Sequence, residues 1–194
     1  MASGPPAGSR PSLKTETMPI MRMRRLGNSG LFISEFCFGA MTFGGRDGIW
    51  GQVGRLGQDD ADALVRAALD AGINVIDTAN TYADGRSEQM VGQSLRNLGV
   101  ARDDVVIATK VAAPVGDGPN ACGGSRRHIL SQCRGSLQRL GLDHIDLYQI
   151  HEFDPATPST RRRRSRKRLR RWTCWFARGM SAMSACRTGL PGRS

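Results

Sequence analysis

Asn74-Val75-Ile76-Asp77-Thr78-Ala79-Asn80-Thr81-Tyr82-Ala83-Asp84-Gly85-Arg86-Ser87-Glu88 is the stretch on which the fold turns. Val75 and Ile76 close a short apolar strand and Asp77 stops it. A polar loop then carries Tyr82 as far as Ser87, where a helix opens. A carboxylate at a strand's end, with a phenol on the next loop, suits a site better than a core. Two later strands finish in the same way. Val105-Val106-Ile107-Ala108-Thr109 runs into Lys110, and Ile145-Asp146-Leu147-Tyr148-Gln149-Ile150 runs into His151.

Working outward, Leu26 to Leu31 has a turn-forming centre between short flanks and predicts a hairpin. Phe36-Cys37-Phe38 reads as a short buried strand ending at Gly39-Ala40-Met41-Thr42, followed by a Gly-rich loop over 44–57 that carries Trp50. Residues 59–71 place Leu64, Val65, Ala68 and Leu69 on one helical face, with Gly72 as the stop. A strand over 73–77 comes next, then a helix from Ser87 to Leu98 carrying Val91 and Leu95. A strand over 105–109, a helix from Ser125 to Leu140 and a strand over 145–150 complete the pattern. Met90 and Cys133 read as packing residues on helix faces. Apolar strands alternating with amphipathic helices mean an α/β chain with a parallel sheet covered by helices. Polar residues recurring at the strands' C-terminal ends point to part of a (β/α)8 TIM barrel: an N-terminal hairpin plus about four strand–helix units. A doubly wound nucleotide fold is the rival, and the Gly-x-Gly-x-x-Gly expected after its first strand is missing.

The net charge of +11 suggests a nucleic-acid or membrane partner until it is divided by position. From Ser159 onward there are 12 Arg and Lys and no acid, so residues 1–158 hold 16 basic and 17 acidic side chains. The basicity belongs to the tail. Residues 1–20, rich in Pro, Gly, Ser and Ala, read as a disordered leader. Five cysteines show neither metal-ligand spacing nor a disulfide framework, so reduced thiols and no metal are expected. No run is long enough to span a membrane, and the first residues lack an apolar signal core, which makes a cytoplasmic protein the default.

In a parallel barrel, successive strand ends share one rim, so Asp77, Lys110 and His151 would face one pocket with Tyr82 leaning in. Such a group suits reduction of a carbonyl by hydride. The developing alkoxide needs a proton, and a phenol, with an ordinary pKa of about 10, gives it up poorly unless assisted. A neighbouring ammonium favours the phenolate, a carboxylate holds the ammonium, and an imidazole can orient the carbonyl oxygen. These residues carry a resemblance. Asp77-Thr78-Ala79-Asn80-Thr81-Tyr82 with Ser87-Glu88, Thr109-Lys110, and Asp146-Leu147-Tyr148-Gln149-Ile150-His151 are similar to the signature elements of aldo-keto reductases. The resemblance covers about Met23 to Pro158. It implies a barrel enzyme that uses NADP(H) on a small-molecule aldehyde or ketone. By the same resemblance Tyr82 is the proton donor, Lys110 and Asp77 tune it, and His151 orients substrate. Met41, Thr42 and Asp77 lie by the nicotinamide, and Trp50 walls the substrate side along with His151.

After Pro158 a barrel needs another helix and more strands, yet Ser159 to Arg171 is an arginine run. One reading is a nucleic-acid arm with Trp172 and Trp175 stacking on bases; another is a solvated or membrane-surface tail. The codons favour a third. Read from the third base of each codon, Trp172-Thr173 hides Asp, Cys174-Trp175 forces Leu and Trp175-Phe176 forces Val. With permitted choices elsewhere, the shifted frame resembles the fourth helix's end and fifth strand of aldo-keto reductases. Residues 159–194 therefore read as a frameshifted, disordered tail after a truncated N-terminal half-barrel over 21–158. The family's phosphate contacts come mainly from later strands, so the chain as written is expected to be unstable and to reduce no carbonyl. The alternatives are nucleic-acid binding through the tail and a non-enzymatic, cofactor-sensing barrel relative. Loss of Tyr82 or Lys110 would point to that relative, and both are present. Substrate identity, the choice between NADPH and NADH, and oligomeric state are not written in the sequence.

Overall fold

The structure is a computed structural model that describes residues 21–152, 154 and 157, together with the backbone of 180–182. The leader over 1–20, and Trp172 and Trp175 with most of the basic tail, lie outside the described residues. Strands β1 (Met23–Arg25) and β2 (Phe32–Ser34) form the expected antiparallel hairpin, with Met23 opposite Ser34. Gly27 and Gly30 take positive φ in its turn, a conformation that glycine adopts without steric cost.

Strands β3 (Phe38–Gly39), β4 (Val75–Asp77), β5 (Val106–Val111), β6 (Ile145–Ile150) and β7 (Met180–Ala182) make one five-stranded sheet. Every neighbouring pair is parallel, and spatial order follows sequence order. A doubly wound sheet reverses its order at a switch point, whereas a barrel wall advances one strand at a time. The sheet is therefore an arc of a (β/α)8 barrel. Met180–Ala182 pair with β6 at Ile145 and Tyr148. A free strand edge offers unpaired amides and carbonyls to an extended segment nearby.

Helices α1 (Gly48–Val53), α2 (Gln58–Asp70), α3 (Arg86–Asn97) and α4 (Arg126–Leu140) lie in the connections. The Ser125 hydroxyl caps α4 by accepting from the His128 amide at 3.2 Å, and Gly141 ends it in the left-handed region at φ 67°. One core lies between the helices and the sheet's outer face. There Ile76, Ile107, Val111 and Tyr148 meet Val65, Val91, Leu95, Cys133 and Leu140. None of the described helices is long and apolar enough to cross a membrane.

Three readings need correction. Phe36-Cys37-Phe38 is not a buried strand: the strand is Phe38–Gly39, Phe36 is 66% exposed and Cys37 is exposed. Among the described residues β3 has a neighbour on one side only, and of these residues only Phe38 packs against the core. Leu64 is exposed, because α2 buries the stripe Ala61, Val65 and Ala68 instead, one step round the helix. The loop over 44–57 is not all loop, since it holds α1 with Trp50 in it.

Polar side chains stitch the layers together. The Ser87 hydroxyl donates to the Ala40 carbonyl at 2.7 Å and lies 2.8 Å from the Thr78 hydroxyl. Helices α3 and α4 meet at Gly92, where an added Cβ would stand 1.9 Å from the Leu140 carbonyl oxygen. Gly92→Ala is accordingly expected to push the helices apart and to cost about 1–3 kcal/mol, seen as a lower thermal unfolding midpoint.

Candidate active site

Strand alternation sets the site. Register pairs Asp77 with Ala108 and Lys110 with Gln149, so these side chains point away from the helices. Ile76, Thr109 and Tyr148 face the helices instead, as the Thr109 hydroxyl bond to Glu88 on α3 and the Tyr148 hydroxyl bond to the Ile129 carbonyl show. His151 follows β6 directly, held by its amide bond to the Val111 carbonyl at 2.7 Å. Tyr82 opens a tight turn over Tyr82–Gly85. Ala83, Asp84 and Gly85 there take φ of 49°, 56° and 86° in succession. That unusual left-handed run aims the phenol back at the strand ends and leads straight into α3.

The Lys110 ammonium is the hub. It donates to the Asp77 carboxylate, to the Thr78 carbonyl at 2.8 Å and to the Tyr82 hydroxyl at 3.3 Å. An ammonium has three donors, and all three are engaged. Its nitrogen lies 4.8 Å from the Tyr82 ring centre. The second Asp77 oxygen accepts from the Gln149 amide at 3.0 Å. The Tyr82 ring meets His151 edge-on at 5.6 Å and Trp50 edge-on at 5.8 Å. The structure thus brings together Asp77, Tyr82, Lys110, His151 and Trp50.

Met41 and Thr42 are not drawn into that cluster. Met41 is exposed, and the Thr42 carbonyl instead accepts the Leu56 amide at 3.3 Å. Their tie to the site is through the backbone, where the Ala40 amide donates to the Asp77 carbonyl at 2.9 Å. Gln149 is a site residue that sequence reading passed over; its place opposite Lys110 becomes visible only once the strand register is known. Beside the cluster, a cavity of about 460 Å³ is lined by Trp50, Asn80, Thr81, Pro114 and Val115 among others. The Asn80 side-chain oxygen is buried and has no hydrogen-bond partner there.

Burial, and then the Lys110 charge, hold the His151 imidazole below the ordinary histidine range, with Glu152 and Asp77 opposing. Burial likewise lowers His128, which is 2% exposed on α4. Both are neutral at neutral pH. Their sign for stability follows from proton uptake: below about pH 6.5 the unfolded chain gains protons that the folded chain refuses. Stability is expected to fall as pH drops from about 7 towards 5. A pH series of thermal midpoints checks this, with a shallower decline for His128→Asn than for the parent chain.

With the geometry established, comparison with known proteins identifies the class. Residues 35–188 match the sequence model of the aldo/keto reductase family, and the chain belongs to that family. A protein of Oryza sativa subsp. japonica called "Probable voltage-gated potassium channel subunit beta" is 43% identical over 139 residues. That alignment covers 71% of this chain and 39% of the relative. The aldo-keto reductase AMT2 of Alternaria alternata is 40% identical, over 70% of this chain and 42% of its own length. The solved holo form of the aldo-keto reductase AKR11C1 from Bacillus halodurans superposes with a TM-score of 0.54 at 35% identity. It covers 67% of this chain and 40% of that one. The chain spans about two fifths of the length of the relatives it matches.

Proposed function

We propose that the whole protein reduces an aldehyde or ketone to an alcohol with NADP(H), and that Asp77, Tyr82, Lys110 and His151 are its proton-transfer group. The observation that carries this reading is the Lys110 ammonium, bonded at once to the Asp77 carboxylate and the Tyr82 hydroxyl. A dihydronicotinamide bound beside these residues would supply hydride to the carbonyl carbon. The Tyr82 hydroxyl gives its proton to the carbonyl oxygen as charge develops there. Lys110 stabilises the phenolate left behind, and Asp77, itself held by Gln149, keeps the ammonium in place. His151, neutral in the working pH range, has a ring nitrogen with which to orient the carbonyl. Met41, Thr42 and Asp77 would hold the nicotinamide, the first two from outside the cluster, and Trp50 with His151 would wall the small-molecule substrate.

The side chains present fit the reacting end of such a cofactor. Lys110 has no donor left for a phosphate, so the phosphates need anchors other than this group. A cytoplasmic setting agrees with the free thiols of Cys37, Cys122 and Cys133. The arginine run after Pro158 belongs, on this reading, to a shifted frame, which sequencing the transcript across codons 155–175 tests directly. The functional test is a hybrid barrel in which residues 23–158 replace the matching segment of the Bacillus halodurans reductase. It is expected to oxidise NADPH in the presence of 4-nitrobenzaldehyde. A folded, NADPH-binding hybrid with no turnover would count against the proposal.

A further inference from the structure

The outer, helical side of the arc carries a second concavity, and none of Asp77, Tyr82, Lys110 or His151 lines it. Its volume is about 550 Å³, within the range of small-ligand sites. Arg46, Arg55, Arg86, Arg96 and Arg139 converge on it, and no carboxylate is among its lining residues. Of the five, only Arg139 has an acid partner among the described residues, Glu88 at 2.6 Å. Arg86 donates from Nε to the Gly44 carbonyl at 2.7 Å, which fixes the guanidinium at the groove's edge. Arg96 donates to the Leu140 carbonyl and to the Gln93 side chain. Arg55 donates from Nε to the Gly51 carbonyl at 3.0 Å. Arg46 has no hydrogen bond or ion pair among the described residues.

Four guanidinium charges with no ion pair among the described residues around one small cavity repel each other, and an anion between them relieves that repulsion. A structural role accounts for Arg86 and Arg96, which tie separate segments together. It does not account for Arg46, which holds nothing, or for Arg55, which bonds only four residues back along its own chain. Guanidinium groups match phosphate oxygens with paired, charge-assisted hydrogen bonds, and several arginines around one cavity suit a multiply charged anion better than a single carboxylate. We propose that this groove, between the start of α2 and the face of α3, binds a small molecule carrying a di- or polyphosphate group. The site is separate from the carbonyl-reducing group, so either assignment can fail alone.

The test is calorimetric titration of the full chain with inorganic pyrophosphate, in parallel with Arg46→Gln, Arg55→Gln and a tail variant in which Arg161 to Arg164 become glutamine. Pyrophosphate is expected to bind the full chain and the tail variant alike, and each groove substitution is expected to weaken binding about tenfold. Arg46 and Arg55 are exposed, and an unchanged thermal midpoint shows that their variants are folded. The proposal is overturned if the full chain does not bind, if both groove variants bind like the parent, or if only the tail substitutions abolish binding.

Discussion

Glu88→Ala is expected to lower the free energy of unfolding by about 3–5 kcal/mol. The Glu88 side chain is 0% exposed. One of its oxygens accepts from the Thr109 hydroxyl at 2.6 Å, and the other accepts from Arg139 Nε at 2.6 Å. One carboxylate thereby fastens α3 to β5 and to α4. Alanine strands a largely buried guanidinium and a buried hydroxyl together, and an uncompensated buried charge is the costly outcome. Because Arg139 keeps 24% of its side-chain surface, it regains some hydration, which favours the lower end of that range. Replacing both partners with methionine should cost less than Glu88→Ala alone, since no lone charge is left behind. Urea unfolding followed by circular dichroism measures both. A double-variant loss equal to the sum of the losses of the two single variants would show that the pair is not coupled.

In the hybrid barrel, Lys110→Met is expected to lower kcat for carbonyl reduction by about 10²–10⁴, the range for losing assistance to a general acid. The Tyr82 hydroxyl then keeps its place on the loop but loses the ammonium 3.3 Å away. Asp77→Asn should be milder in chemistry yet still damaging, because Lys110 keeps a hydrogen-bond acceptor but no counter-charge. Since these residues act as a unit, the double variant should be little worse than Lys110→Met alone. Independent, additive losses in steady-state kinetics would mean that the three side chains do not share one proton-transfer step.

Much of this architecture is written plainly in the chain. β6 occupies the residues its apolar run marks, and α4 begins just after its Ser125 cap and ends before Gly141. Hydrophobic period and end signals act locally, so one sequence carries them. Leu64 misled because an apolar pair such as Leu64 and Val65 spans about 100° of the helix, and only the packed sheet decides which side α2 presents. Phe36 and Cys37 misled because an apolar run does not say how many residues pair. Asp77, Lys110 and His151 were legible as strand-end residues that a barrel gathers at one rim. The reach of Tyr82 depends on Ala83 and Asp84 standing in the left-handed region, which alanine does not advertise and aspartate signals only weakly. Gln149 needed the register with Lys110, a long-range fact that no local pattern contains.

The claim at the centre is that the Tyr82 hydroxyl is the proton source for a carbonyl being reduced. Single-turnover reduction of 4-nitrobenzaldehyde by the NADPH-loaded hybrid, with and without Tyr82→Phe, tests it most directly. The phenylalanine variant is expected to bind NADPH as the parent does and to transfer hydride about 10³-fold more slowly. A variant that binds cofactor and turns over at the parental rate would contradict it.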